Sequence, residues 1–99
     1  MKKSKELISK TPSDIAEALG LTPAHAIEWE LRKSVTKKII EVVEKNSITV
    51  TKLAKESGTS RGRITRILKE DTDGISLDVL VRILGAAGQK IKLAYQKVA

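Results

Sequence analysis

Residues 49–69 read TVTKLAKESGTSRGRITRILK, and this stretch decides the fold. Its pattern predicts two short helices, over 49–56 and 60–69, joined by a turn of three or four residues. Helices joined this closely cross at a steep angle, so the contact needs a small residue, which Ala54 supplies. The turn needs a residue that tolerates positive φ, which Gly58 supplies. Ile64 then anchors the second helix on the first, and the three residues together predict a helix-turn-helix.

Further helices are predicted on both sides of this motif. A short helix over 14–19 is followed by a long one that starts at Thr22 and Pro23 and ends near Lys45. Its apolar residues recur at helical spacing, as Ile27, Leu31, Val35, Ile39 and Val42. After the motif, Ser76 begins another helix, which Gly88 ends in a left-handed conformation. We therefore expect an all-α domain of four to five helices over 14–88, preceded by a flexible basic tail over 1–13.

The last residues change their period. Ile91, Leu93 and Tyr95 occupy alternate positions, which is typical of a strand. A single strand needs a pairing partner, and no other segment of the chain has a convincing strand pattern. We therefore expect a short C-terminal β-strand in residues 89–99 that pairs with a second copy of the chain and makes a homodimer.

The composition narrows the class of protein. The chain has 99 residues, a net charge of +7 and no cysteine, which excludes disulfides and thiolate metal sites. Residues 52–69 hold six basic residues against Glu56 alone, so their net charge is +5. No apolar run is long enough for a membrane helix or a signal peptide, which favours a cytoplasmic protein without a membrane partner. Nucleic acid is the partner that this basic segment predicts.

An enzyme is not expected. The sequence lacks a Ser/His/Asp arrangement, a Gly-rich phosphate loop and a metal-ligating cluster, and His25 is the only histidine. We therefore predict no cofactor and no metal, with His25 as a surface residue. For Trp29 the favoured interpretation is packing in the core or in a dimer, and contact with a toxin or ligand is the alternative.

The outward side of the 60–69 helix carries the residues suited to DNA. With Ile64 facing inward, Gly62, Arg66 and Lys69 point to the opposite side at 100° per residue, while Arg61 and Thr65 share one flank. Arginine can bind guanine O6 and N7 together, and threonine can contact a thymine methyl. Ser60 and the helix N-terminus suit a phosphate oxygen. Phosphate contacts are expected from a second set: Thr49, Thr51, Lys52, Lys55, Arg63 and Lys69.

The motif resembles a known family. The pattern L-A-x-x-x-G-x-S-x-x-x-I-x-R-x-L over 53–68 resembles the Cro/repressor-like (XRE) helix-turn-helix class. The segment SLDVLVRILGAAGQKI over 76–91 resembles short regulators of that class, many of them antitoxins similar to the HigA group. The resemblance covers roughly residues 34–95 and implies a lambda-repressor-like fold. It implies base contacts by the first residues of the recognition helix: Ser60, Arg61, Gly62, Thr65 and Arg66.

The sequence departs from the family pattern at three positions. Val50 stands where many members have a glutamine that contacts DNA, and Ser57 and Thr59 stand where apolar residues usually seal the turn. Residues 15–22 also imitate the start of the motif, but residues 14–30 hold four acidic and no basic side chains. Acidic side chains repel phosphate, so a second DNA-binding motif is not favoured there.

Three functions follow as hypotheses. The first is a sequence-specific regulator of transcription, a repressor that binds a double-stranded DNA operator as a homodimer. The alternative is an antitoxin that binds a toxin protein and represses its own operon, with the tail and the acidic 14–30 segment as the expected toxin contacts. The third is RNA binding, which the scarcity of stacking aromatic residues disfavours for single strands.

Overall fold

The structure is a computed structural model that describes residues 23–97. Within that range it contains four helices: α1 Pro23–Asn46, α2 Val50–Ser57, α3 Arg61–Leu68 and α4 Leu77–Ala86. The chain divides into two compact units, residues 1–34 and 35–99, and the predicted helix-turn-helix belongs to the second. The expected all-α, lambda-repressor-like fold is confirmed. The predicted tail over 1–13, the helix over 14–19 and the imitation of the motif over 15–22 lie outside the described residues.

Helix α1 is 24 residues long and begins at the predicted proline. Its second half contributes Val35, Ile39, Val42 and Val43 to the core. In its first half, Ile27 and Leu31 are 45% and 44% exposed although they continue the same apolar stripe. Helical spacing identifies a face of α1, but the second unit's core includes only the part of that face from Val35 onward.

The turn between α2 and α3 has the predicted chemistry. Gly58 ends α2 in the left-handed conformation, at φ 72° and ψ 25°, and its N–H donates to the carbonyl of Ala54. Thr49 and Ser60 occupy the N-cap positions of the two helices, and each hydroxyl oxygen accepts a backbone N–H at 3.1 Å. The caps satisfy N–H groups that have no partner inside the helix, and the glycine lets the chain reverse within three residues.

The core is aliphatic and joins all four helices. Helix α2 contacts both α3 and α4. Six large side chains are fully buried: Ile39, Leu53, Ile64, Ile67, Leu80 and Ile83. Ala54 is also buried, so both residues predicted to make the helix crossing are confirmed. Ser57 and Thr59 are buried despite their polarity, and the Ser57 hydroxyl donates to the Ala54 carbonyl at 3.5 Å.

The C-terminal segment does not form the predicted strand. Gly88 follows α4 with φ 90°, as expected for a left-handed helix end. Residues 89–97 are then neither helix nor strand. The physical reason is that a strand is stabilised by hydrogen bonds to a neighbour, and the described part of a single chain contains no other strand. Ile91, Leu93 and Tyr95 are exposed in this segment, Leu93 by 67% and Tyr95 by 88%.

Candidate nucleic-acid interface

Helix α3 has one buried and one exposed side. Ile64 and Ile67 are fully buried and fix the helix on α2. The opposite side forms a surface that we call the basic face, and all of its residues are exposed: Arg61, Gly62, Thr65, Arg66 and Lys69. The structure thus brings these predicted residues together on one helix surface. Ser60 lies exposed at the helix start, and Arg63 is exposed on the other flank.

Two hydroxyl groups of this surface are held in place by the backbone. The Ser60 Oγ accepts the Arg63 N–H, so its own O–H remains a donor for a phosphate oxygen beside the positive end of the helix dipole. The Thr65 Oγ1 donates to the Arg61 carbonyl at 3.0 Å. This bond uses the hydroxyl hydrogen of Thr65, so the side chain can offer an external group its methyl and an oxygen lone pair.

Helix α2 presents the expected phosphate-binding side chains. Thr49, Thr51, Lys52 and Lys55 are all exposed. Val50 is only partly exposed and packs against the core. This position therefore contributes to packing, and the polar contacts available on α2 come from its threonines and lysines.

Most of the positive charge in residues 52–69 is not neutralised by ion pairs within residues 23–97. Ion pairs elsewhere in residues 23–97 include Arg32–Glu28, Lys38–Glu41 and Arg82–Asp78. Five of the six basic residues of the segment form no ion pair with the part of the chain that the structure describes: Lys52, Lys55, Arg61, Arg63 and Lys69. A concentration of unpaired positive charge on one surface attracts a polyanion.

Arg66 is the exception on the basic face. Its Nε donates to Oδ2 of Asp71 at 3.1 Å, and its Nη2 donates to Oδ1 of Asp71 at 3.3 Å and to the backbone carbonyl of Asp73 at 2.6 Å. The hydrogen bond and the carboxylate charge raise the pKa of Arg66, and the same hydrogen bond lowers the pKa of Asp71. The favourable contribution of Asp71 is therefore present above the usual aspartate range and is lost as the pH falls through its lowered pKa.

Sequence reasoning missed this pair. The prediction placed Arg66 among the base-contacting residues from its position on the helix alone. A signal was present in the sequence, since Asp71 and Asp73 follow directly after the end of α3, where a chain reversal brings a loop back towards the helix. The positive φ of Glu70, 63°, makes that reversal, and composition alone does not indicate a left-handed glutamate.

Gly62 is not explained by packing within the protein. A Cβ built at this position meets no atom within 4 Å, and the residue has no positive φ. Glycine in a helix costs up to about 1 kcal/mol relative to alanine, so the fold alone favours a larger residue here. A close approach of another molecule to the backbone of α3 gives a physical reason for the missing side chain.

A family model described as a helix-turn-helix domain matches residues 15–95. The chain belongs to this helix-turn-helix family. No curated protein and no solved structure shows significant similarity to it. The match contains the whole described motif and both helices that pack around it, and it supports DNA binding as the activity of this helix-turn-helix protein.

Trp29 and His25, which the sequence also singles out, both lie on α1. Trp29 on α1 is 45% exposed, and the Lys33 ammonium lies 5.4 Å from its ring centroid. His25 is exposed. In residues 23–97, no group of three or more His, Cys, Asp or Glu side chains is placed to hold a metal ion. None of the helices found there combines the length and the apolar character that crossing a bilayer requires.

Proposed function

We propose that the protein is a sequence-specific transcriptional repressor of the Cro/repressor-like (XRE) class that binds a double-stranded DNA operator with α3 in the major groove. The observation that carries the proposal is the basic face. It combines a capped helix start, a glycine without a packing role, and the side chains of Arg61 and Lys69, which form no ion pair within residues 23–97. A major groove is about 12 Å wide and accepts an α-helix with such a surface.

The proposed contacts divide into two groups. Ser60, Arg61, Gly62 and Thr65 are proposed to meet the bases or the groove wall from the first turns of α3. Arg66 shares the exposed side, but three of its donors are already used within the protein. Phosphate contacts are proposed from Thr49, Thr51, Lys52, Lys55, Arg63 and Lys69, which supply affinity without sequence information.

Selection of bound duplexes from a random pool tests this function. The protein is expected to enrich a defined site with two half-sites about one helical turn apart. Arg61→Ala is expected to lower discrimination at one base pair by about 1–3 kcal/mol. Arg82→Ala on α4 is the matched control, since it also removes an exposed arginine and is expected to leave the selected site unchanged. Failure to enrich any duplex contradicts the proposal.

A homodimer is the proposed DNA-binding form, made by antiparallel pairing of the C-terminal segment across a two-fold axis. A register centred on Leu93 places it opposite itself and places Ile91 opposite Tyr95 of the partner subunit. On the other face, Lys92 then lies opposite Ala94 of the partner subunit, so no like charges face each other directly. A register centred on Lys92 would place the two copies of Lys92 opposite each other. A register centred on Ala94 would place Ile91 opposite Lys97 of the partner subunit.

Single cysteines can test both the dimer and its register, because the natural chain has no cysteine. Residues directly opposite in an antiparallel pair have Cα atoms about 4.5–5.5 Å apart, within the range of a disulfide. Leu93→Cys is expected to give a cross-linked dimer under mild oxidation. The neighbouring Ala94→Cys is the control and is expected to stay uncross-linked, since its two copies are offset along the strands. A monomeric mass for the natural chain contradicts the dimer.

Binding of a partner protein, as in an antitoxin, is a second candidate function. The observation that favours it is the exposure of three large apolar side chains, Ile27, Trp29 and Leu31, on the first half of α1. Ile27 and Leu31 are four residues apart and therefore share one side of α1, and an exposed apolar surface often marks a protein contact. Trp29 is the only tryptophan, so its fluorescence reports directly on binding. Co-purification of a toxin-like protein encoded by the neighbouring gene, lost in Trp29→Ala and kept in Lys37→Ala, would support this function.

A further inference from the structure

The side chain of Arg66 and the loop that follows α3 are joined by a network of hydrogen bonds. Besides the three bonds from the guanidinium, the Arg66 carbonyl accepts the Asp71 N–H at 2.9 Å, and the Ile67 carbonyl accepts the Glu70 N–H at 2.8 Å. This pair of backbone bonds around a left-handed residue is the Schellman helix end. Glu70 takes the position that glycine usually fills, and its left-handed conformation costs backbone energy. The hydrogen bonds from the Arg66 guanidinium to Asp71 and Asp73 hold the same turn.

The donor geometry of arginine decides what else Arg66 can bind. A guanidinium has five N–H donors in a rigid plane, and the three bonds use the Nε donor and both Nη2 donors. The two donors that remain belong to one nitrogen, Nη1. Binding guanine O6 and N7 together needs parallel N–H groups on two nitrogens. The bonds to Asp71 and Asp73 therefore exclude a bidentate guanine contact by Arg66.

We propose that Arg66 is a positioning residue of the DNA-binding surface, which fixes the 69–74 loop and holds the Asp71 carboxylate away from DNA, and that it does not select a base. The inference rests on the proposed DNA-binding function. It assigns the sequence preference of α3 to the side of the basic face that begins with Arg61 and Thr65. It also gives Asp71 a role in DNA binding, although an acidic side chain by itself repels phosphate.

The sign of the Asp71→Asn effect distinguishes this role from simple electrostatics. Removing an acidic side chain beside a basic surface ordinarily strengthens DNA binding, because phosphate repulsion falls. If Asp71 holds Arg66 and the loop in place, Asp71→Asn instead weakens binding. Asp78→Asn is the matched control, since Asp78 is also an exposed aspartate paired with an arginine, at 3.7 Å on α4. The control is expected to bind DNA as well as the natural chain or slightly better.

The experiment is a double-mutant cycle on the full chain with the duplex obtained by selection. Arg66→Ala and Asp71→Asn are each expected to weaken binding on the order of tenfold, and the double variant is expected to be no weaker than either single variant. Repeating the selection with Arg66→Ala is expected to return the same base preferences at every position. A merely stabilising role would lower the midpoint of thermal unfolding without this loss of affinity at a temperature where all variants are folded.

Two results would overturn the inference. One is a relaxed preference at a single base pair in Arg66→Ala, and the other is an Asp71→Asn variant that binds as well as or better than the natural chain. Arg61→Ala in the same selection separates the two levels of proposal. If Arg61→Ala relaxes a base preference while Arg66 fails these tests, DNA recognition by α3 stands and only the positioning role is lost. If the natural chain selects no duplex, the proposed function itself fails.

Discussion

Helices α3 and α4 both bury one aliphatic side in the core, and they differ in the side chains that they expose. Each follows a serine at its N-cap position, buries aliphatic residues on one side and carries an exposed glycine and an arginine–aspartate pair on the other. On α4 the pair joins Arg82 and Asp78 within one helix, so the charges balance. Helix α3 has no acidic residue, and Arg66 pairs with Asp71 in the loop that follows the helix.

This difference separates the residues that make the fold from those that make the function. The buried sides have the same aliphatic character, with Ile64 and Ile67 on α3 and Leu80, Ile83 and Leu84 on α4. The exposed side of α3 concentrates positive charge that contributes little to folding. The exposed sides of the two helices are therefore where a difference in function is expected. Matched substitutions in α3 and α4 measure that difference as changes in stability and in DNA affinity.

The largest effect is expected where the two helices are alike. Ile64→Ala in α3 and Leu80→Ala in α4 each remove a fully buried side chain and are expected to lower the free energy of unfolding by about 2–5 kcal/mol. Urea denaturation measures both. Small domains have only about 5–15 kcal/mol of stability in total, so both variants approach the limit of folding. A loss confined to one helix would show that the core does not depend equally on both.

A smaller effect is expected at the two exposed helical glycines, and here the helices should differ. Gly62 and Gly85 both have open space where a Cβ would lie, so Gly62→Ala and Gly85→Ala are each expected to stabilise the fold by up to about 1 kcal/mol. Only Gly62→Ala is expected to weaken DNA binding, because its methyl occupies the space where DNA approaches α3. Thermal unfolding and duplex titration of the two variants measure the two effects. Equal affinities would remove Gly62 from the interface.

The sequence predicted the four described helices because their signals are local. Capping residues, the left-handed Gly58 and the apolar spacing act within one or two turns, and each matches the structure. Two features depend on what surrounds an element and are not fixed by local pattern. Ile27 and Leu31 continue the stripe of α1 but are exposed, and Ile91 and Leu93 alternate as in a strand although residues 89–97 form no strand within the described single chain.

The candidate site was predicted in outline, and its finer chemistry was not. Helical geometry places Arg61, Gly62 and Thr65 on one side of α3, and all three are exposed. The state of each side chain depends on the loop that returns to the helix, which no periodicity describes. Arg66 illustrates this limit, because its direction is set by a carboxylate five residues further along the chain.

The smallest effect is expected from a lysine at the end of α3. Lys69 is exposed and has no ion pair within residues 23–97, so it is expected to meet a phosphate. Lys69→Ala should weaken binding to all duplexes alike and reduce the slope of log affinity against log salt by about 1. Titrations of the selected duplex and a scrambled one at several salt concentrations measure both quantities.

Lys37 is the control for this slope. It is also an exposed lysine without an ion pair within residues 23–97, but it lies on α1, so Lys37→Ala should keep the slope of the natural chain. A Lys69 variant that lost affinity only for the selected duplex would place Lys69 among the base-contacting residues. The division of α3 would then change, since its C-terminal end would take part in selecting the sequence as well as in binding the backbone.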